Sequence, residues 1–499
     1  SPDSAFGSLC LAARIDCPNR GFWYILSKRC FLKGVASSFR ELKMEDGKLN
    51  SNPSVPEGNF RGHAKQYVWS EKPDPLLAEV GPGTPCGEYQ RRFWLPIAMT
   101  NQFSDKPYRV RVLGEDLVLF RETKGRLGLV HLHCAHRNMS LEFGIIEEGG
   151  IRCSYHGWKY DVDGTILETP CEPPASKIKE KVCLGAYPVI EYKGLAFTYM
   201  GPPEKTPPFP FYDTFDDDGD EMLPYLIDSP CNWLQVMENA WDPFHTVYLH
   251  TKAVRSQFIE AFAELPRIEY FSTKIGDFYT NTRRVGDIIW LRIHDKVLPS
   301  FTQNGGHFPT PDKSMYFGRC GLSRWVVPID DENTRVIAWR HFREGEDPQG
   351  LTNRDEVGFG KTDFYGQGPD RSYEQMQADP GDYDAWVSQG PKNIHARENL
   401  CFTDRGVAKV RRKLKQAILE VQNGGDVVQP GEHCDSPIPT YGGDTMLNIP
   451  VQEGRDDEAV LRKVAHDVAD IYTSADHLLG EERAGFIKQS LEAYEDTWN

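Results

Sequence analysis

Cys134 and His136 in the run CAH, and Cys153 and His156 in the run CSYH, put one thiol and one imidazole in each of two segments separated by sixteen residues. Gly144, Gly149 and Gly150 precede Cys153, and Gly157 follows His156, so the residues that tight turns need are at hand. Four such donors on paired turns admit three readings. They can stand together without a metal. They can form a Cys₂His₂ zinc site, although such sites usually pair Cys with Cys and His with His. They can hold a [2Fe–2S] cluster in which two imidazoles replace two thiolates on one iron, which raises its reduction potential. The third reading explains the mixing, since each loop then supplies one ligand to each iron.

The surrounding chain reads as short strands. YRVRV, a turn at Gly114, LVLF, a turn at Thr123-Lys-Gly and LGLVHLH follow one another, so an all-β module is expected over residues 76–205. Its lead-in is PLLAEVGPGTPCGEYQRRFWLPIA. A Pro-rich linker, GPPEKTPPFPFYD, precedes the acidic run DDDGDE, which is expected to be a solvated loop. Residues 206–499 mix both periodicities. IIWLRI, LSRWVVPI and TRVIAWRHF look like strands, whereas Val407, Val410, Leu414 and Ile418, and later Ile487, Leu491, Tyr494 and Trp498, recur at helical spacing. The expected class is α+β, with helices beside an antiparallel sheet. Residues 1–75 are rich in Ser, Asn, Gly and Pro, and form an extension to which no function is assigned.

Composition narrows the function classes. The net charge of -16 lacks the basic face of a nucleic-acid binder, and no apolar run is long enough to span a membrane. The start has only a short apolar stretch and no basic run before it, so a secretory leader is not expected. Twelve Cys scattered through 499 residues do not make a disulfide scaffold, so reduced thiols and a cytoplasmic location are expected.

A second constellation lies in NWLQVMENAWDPFHTVYLH, where His245 and His250 stand five residues apart. On a regular helix that spacing turns them by about 140°, so a shared metal needs an irregular helix, and Pro243 is a source of irregularity. Two His and one carboxylate make the facial triad of non-haem Fe(II) oxygenases, which leaves positions open for O₂. Two helical histidines are more often structural, and it is the Cys/His loops that lend them weight.

Together these features resemble the Rieske non-haem iron oxygenase alpha subunits, in the branch of phthalate dioxygenases and aryl O-demethylases. The resemblance runs from about residue 76 onward, through GPGTPCGEYQRRFW, the two loops, the Asn232–His250 segment and Glu398-Asn-Leu-Cys-Phe-Thr-Asp404-Arg-Gly-Val. It implies an all-β Rieske [2Fe–2S] domain followed by a helix-grip-like catalytic domain over 206–499. Cys134, His136, Cys153 and His156 would hold the cluster, and His245, His250 and Asp404 a mononuclear Fe(II). Asp404 also suits the start of the following helix, where a carboxylate meets the helix dipole, and Glu398 is the competing ligand. Asp242 would bridge an iron-bound imidazole and the cluster's His156 in a neighbouring subunit, fixing the orientation of both. That role implies a ring of subunits, a homotrimer or stacked homohexamer, because the two centres of one chain would lie too far apart.

No GxGxxG fingerprint follows a strand and no plant-type Cys spacing occurs. Electrons are therefore expected from a separate NAD(P)H-dependent flavin/iron–sulfur reductase or a ferredoxin. The substrate is expected to be a small aromatic molecule, hydroxylated, dihydroxylated or demethylated with O₂. Arg283 and Arg284 can pair with an aromatic carboxylate, though adjacent charges on a strand are more often solvated. The alternatives are a Rieske electron carrier without a working second iron and a zinc-stabilised binding protein.

Overall fold

Along the strand Ile288–Val297, Ile289, Leu291 and Ile293 join one apolar core, while on the other face Trp290 joins a second and Arg292 and His294 line a cavity. This is the period-two alternation of a strand buried on both faces. It belongs to an eight-stranded antiparallel sheet ordered Glu221–Ser229, Thr334–Phe342, Met315–Pro328, Phe301–Gly305, Ile288–Val297, Asp277–Val285 and Arg267–Ser272. The strand Gly443–Asn448 pairs with both Ile288–Val297 and Met315–Pro328.

These elements come from a computed structural model that describes residues 72–103, 105–217, 219–310, 313–343, 354–357, 367–432 and 437–498. The extension expected over 1–75 thus lies outside the described residues except for its last four. All described residues fall within one unit, Val68–Asn499.

Helices Asp457–Ser474 and Gly480–Asp496 cover the Ile289/Leu291/Ile293 face through Val464, Ala465, Val468, Ile487 and Leu491. The helix Arg405–Gln422 buries Val407, Val410, Leu414 and Ile418, the stripe read from the sequence. Burying an aliphatic side chain of this size stabilises by about 1.5–3 kcal/mol, and that accounts for helices whose other faces are charged.

The β-module is built from three small sheets. The hairpin Tyr108–Val112 and Glu115–Arg121 turns at Leu113 and Gly114, both at positive φ (48° and 77°), as a tight two-residue hairpin requires. Trp94–Met99, Leu195–Tyr199 and Val189–Tyr192 form a second sheet. Phe197 of that sheet packs edge-on against Trp325 of the large one, ring centroids 5.4 Å apart. Packing therefore continues across the boundary expected at 205/206.

Two expectations of solvated charge are corrected. In DDDGDE, the Asp220 side chain is fully buried, 2.5 Å from His341 Nδ1 and 2.8 Å from Arg343, and Asp217 pairs with Arg319 and Arg343. The position of Asp220 just before the edge strand Glu221–Ser229, facing two basic side chains on the paired strand Thr334–Phe342 and just beyond it, draws it inward. Arg283 and Arg284 are neither solvated nor at the cavity surface. Arg284 pairs with Asp457 at 2.5 Å, and Arg283 is wholly buried behind the cavity wall.

Gly406, at the start of the long helix, lies so close to the iron-site segment that an added Cβ would meet the Trp241 carbonyl oxygen at 2.1 Å. Gly406→Ala is therefore expected to cost about 1–3 kcal/mol of stability, read as a lower thermal unfolding midpoint. Gly485→Ala, with nothing within 4 Å of its Cβ, should leave the midpoint unchanged or raise it slightly.

Candidate metal centres

The two Cys/His loops are copies of one backbone shape. Cys134 N–H donates to the Met139 carbonyl at 2.9 Å and Cys153 N–H to that of Trp158 at 2.8 Å. The Cys134 carbonyl accepts from Asn138 N–H at 2.9 Å, and the Cys153 carbonyl from Gly157 N–H at 3.0 Å. Asn138 and Gly157, four residues past each Cys, both have positive φ (58° and 75°), a conformation that Gly and Asn adopt most readily.

Within each loop the thiol points inward and the imidazole outward. Cys134 and Cys153 are 1% and 2% exposed, and both are free thiols. The Tyr160 hydroxyl lies 3.0 Å from Cys134 Sγ. Burial raises the Cys153 pKa, as does the neighbouring Cys134 thiol, while backbone N–H groups of Tyr155 and His156 act in the opposite direction. At the half-exposed tips, His136 stacks on Trp158 (4.8 Å, 4°) and meets His156 edge-on at 4.5 Å. Paired buried thiols under paired imidazoles, with N–H groups directed at sulfur, fit a cluster with two thiolates on one iron and two imidazoles on the other. The donor set does not separate by type between the loops, as structural zinc sites usually require.

The second group forms where the helix Trp233–Asn239 breaks ahead of Pro243 and resumes as a short helix, His245–Val247, running into a wide π-type turn, Tyr248–Lys252. This irregularity brings the rings of His245 and His250 to 5.0 Å between centroids. Both Nε2 atoms lie 3.3 Å from one oxygen, Asp382 Oδ1, and the three side chains can together hold a metal ion.

Each ring is fixed from behind through Nδ1. His245 Nδ1–H donates to the Asp242 backbone carbonyl, and His250 Nδ1–H to Gln257 Oε1 at 2.8 Å. Gln257 is itself held by Asp379 Oδ1 (3.1 Å) and the Pro380 carbonyl (2.9 Å). Asn239 Nδ2 donates to Asp382 Oδ1 at 3.1 Å, and Asp382 N–H to Gln367 Oε1 at 2.8 Å. Such outer contacts set the tautomer and leave Nε2 as the donor to a metal. Burial opposes ionisation of Asp382, but His250 and His245 beside it hold the carboxyl well below the usual range.

Asp404, expected to complete this group, is not part of it. It stands immediately before the helix Arg405–Gln422 and accepts from Cys401 N–H at 2.6 Å. The carboxylate comes instead from Asp382, on the short helix Asp382–Val387. The competing candidate Glu398 is taken up by Arg411, which also binds Glu238, and it groups with Glu238 and His395 rather than with His245. Asp242 stands beside the site with its carboxylate half-buried. Oδ1 accepts from Phe244 N–H at 3.0 Å, and burial raises its pKa against the pull of His245. Within the chain, the contact of Asp242 to His245 is made by its backbone carbonyl, not by the carboxylate.

His245, His250 and Asp382 form one end of a cavity of about 1200 Å³ of empty space, part of it open to solvent. Phe258, Phe262 and Phe308 give it an aromatic wall, and Arg292, Arg324 and Arg340 line it from the sheet. Arg292 is neutralised by Asp444 at 2.8 Å and stacks against Phe308 at 4.6 Å. Sequence reasoning did not single out Asp382, Gln257 or the phenylalanines. Asp382 stands in a run of acids, DPGDYD, that has no local mark of a ligand.

Residues 93–188 match the family model described as Rieske [2Fe–2S] domain. The tert-butanol monooxygenase / tert-amyl alcohol desaturase oxygenase subunit of Aquincola tertiaricarbonis is 40% identical over 467 residues, 89% of this chain and 99% of its own length. The phenoxybenzoate dioxygenase alpha subunit of Ectopseudomonas oleovorans is 37% identical, over 74% of this chain and 91% of its own. Among solved structures, dicamba monooxygenase bound to dicamba matches with a TM-score of 0.52 at 17% identity, over 67% of this chain and 98% of its own, a likeness of fold.

The geometry predicts that Asp382→Asn and Gln257→Ala weaken Fe(II) binding at this group by at least about 10–100-fold, whereas Asp404→Asn leaves it within about twofold. Anaerobic Fe(II) titration of the three variants checks this, and equal losses in Asp404→Asn and Asp382→Asn would contradict it.

Proposed function

The chain belongs to the Rieske non-haem iron oxygenases as an oxygenase alpha subunit, and on that premise we propose that it oxidises a small organic molecule beside a mononuclear iron held by His245, His250 and Asp382. The observation that carries this reading is the convergence of two imidazole Nε2 atoms on one buried carboxylate oxygen, 3.3 Å from each, at the end of an aromatic-walled cavity. In this family the cluster supplies electrons singly and the mononuclear iron activates O₂.

The chain's own residues position and enclose. Asp242 and Gln257 fix the two rings, so that both Nε2 atoms face one point without reorganisation. Phe258 stacks edge-on against His250 at 4.9 Å and keeps apolar surface next to the donors. Phe262 and Phe308 extend that surface, and Arg324 and Arg340 line the cavity from the sheet. A flat apolar body with an acidic group fits a lining of this kind, so an aromatic carboxylate is the first substrate class to try, with hydroxylation or O-demethylation as the reaction. Phenoxybenzoate, in the name of one relative, is of this class, and tert-butanol, in the name of the other, extends the range to small branched alcohols.

As an oxygenase subunit the chain works within a multicomponent system, and a flavin/iron–sulfur reductase or a ferredoxin is the proposed electron donor. The cluster ligands are proposed as Cys134, His136, Cys153 and His156. A homotrimer, alone or stacked as a hexamer, would bring the partner subunit's His156 to the half-buried carboxylate of Asp242. No helix among the described residues is long and apolar enough to cross a membrane, and a cytoplasmic location is proposed. An electron carrier lacking the second iron would leave the His245, His250 and Asp382 arrangement without a use.

The test is O₂ uptake by the reconstituted system with benzoate derivatives and their aryl methyl ethers, with formaldehyde measured separately from phenol or diol formation. Uptake independent of every such compound would count against the reading. Asp242→Asn is expected to lower substrate-dependent turnover by at least about 10–100-fold while the cluster still accepts electrons from dithionite. Unchanged turnover would remove Asp242 from the bridging role.

A further inference from the structure

Arg283 is a large, fully buried cationic side chain, with no carboxylate within ion-pair distance among the described residues. Its guanidinium instead donates to three neutral acceptors on three different elements. Nε reaches the Glu264 carbonyl at 2.9 Å, Nη1 reaches Asn281 Oδ1 at 2.5 Å, and Nη2 reaches Thr246 Oγ1 at 2.8 Å. Its plane is also held by Phe262 and Trp290, whose ring centroids lie 5.1 and 5.6 Å from the guanidinium carbon. Burial lowers its pKa to about 9, with Arg292 adding to the shift, so it still carries its charge at neutral pH.

The partners share a location. Thr246, Asn281 and Phe262 all line the cavity, and Glu264 directly follows the Glu260–Ala263 turn that carries Phe262. Arg283 does not reach the cavity itself. It stands behind the wall and fastens three of its residues to one rigid, planar fork. Thr246 extends the chain of contacts toward the metal donors. Its hydroxyl donates to the Pro243 carbonyl at 2.8 Å, and Pro243 follows Asp242, whose own carbonyl accepts from His245 Nδ1. A displacement of Asn281 by a bound molecule therefore reaches the segment that orients His245 through fixed hydrogen bonds, and one of Phe262 reaches it through the guanidinium that its ring holds.

We propose that Arg283 is a positioning residue that couples occupation of the cavity to metal binding at His245, by joining Phe262 and Asn281 to Thr246 behind the cavity wall. The inference rests on reading His245, His250 and Asp382 as the metal donors. A cavity occupant that packs on Phe262 fixes the stacked guanidinium, and the guanidinium then holds Thr246 and the Asp242–Pro243 turn in the geometry that presents His245 Nε2. Coupling of this kind is reciprocal, so a cavity ligand tightens metal binding by the same factor by which metal tightens ligand binding. A lysine in place of Arg283 keeps the charge but cannot bind three acceptors in one plane.

The experiment uses the full chain with its cluster in place. The labile metal is removed with a mild chelator, and Fe(II) affinity is measured anaerobically with and without benzoate as the cavity probe. Wild type is expected to bind Fe(II) at least about fivefold more tightly when benzoate is present. In Arg283→Lys that ratio should fall to about one, with Fe(II) still binding in the absence of benzoate. Thr246→Val, which removes the acceptor and leaves Arg283, should lose the coupling as well, and it decides the matter if the lysine variant does not fold. A wild-type ratio near one overturns the proposal, as does a ratio that survives in either folded variant. Failure of Fe(II) to bind wild type at all would instead count against the metal-donor reading on which the proposal rests.

Discussion

A single carboxylate oxygen, Asp382 Oδ1, organises the catalytic half of this molecule. A charged carboxylate taken out of water is costly unless it is paired and hydrogen-bonded. Here it meets His245, His250 and Asn239, drawn from a helix and the broken segment after it, while Asp382 comes from a short helix far along the chain. The amides of Gln257 and Gln367 tie that helix to His250. The eight-stranded sheet provides the rigid floor against which these few polar contacts keep their geometry, and its inner face supplies the cavity. The break at Pro243 is what brings the two imidazoles together, since a straight helix would have turned them away from one another.

The β-module solves a different problem with the same economy. One loop shape, used twice, presents a buried thiol and an exposed imidazole from each copy, and the hydrogen bonds of Cys134 and Cys153 repeat almost atom for atom. The sulfurs are thereby protected and the rings left at the surface, where another protein can approach them. A short path for an electron from outside needs a ligand near the surface, and shielding a cluster from solvent needs its sulfurs buried. The two loops meet both conditions.

What was legible in the sequence was local. The hairpin at Leu113–Gly114, the Cys/His loops, the stripe from Val407 to Ile418 and the irregular His245–His250 segment each carry their cause within about twenty residues of chain. The carboxylate does not. Asp404 lay in a motif of familiar appearance and proved to precede a helix, while Asp382 reaches the histidines only through the tertiary fold. The same holds for Asp220, whose acidic surroundings read as solvated until His341 and Arg343, 121 and 123 residues on, were brought against it by the neighbouring strand. Arg283 likewise looked like one of two exposed charges, yet strand alternation separates it from Arg284 and sends it inward to Thr246. Periodicity reports which way a side chain faces, but not what waits there.

The claim that most needs testing is that one chain holds both a mixed-ligand cluster and a separate catalytic iron. Iron and acid-labile sulfide counts, combined with electron paramagnetic resonance of the anaerobically reduced protein, address it directly. The expected result is the signal of a [2Fe–2S] cluster with two imidazole ligands, together with iron in excess of sulfide by one atom per chain. A preparation without that signal, or with iron and sulfide in equal amounts after Fe(II) loading, would contradict it.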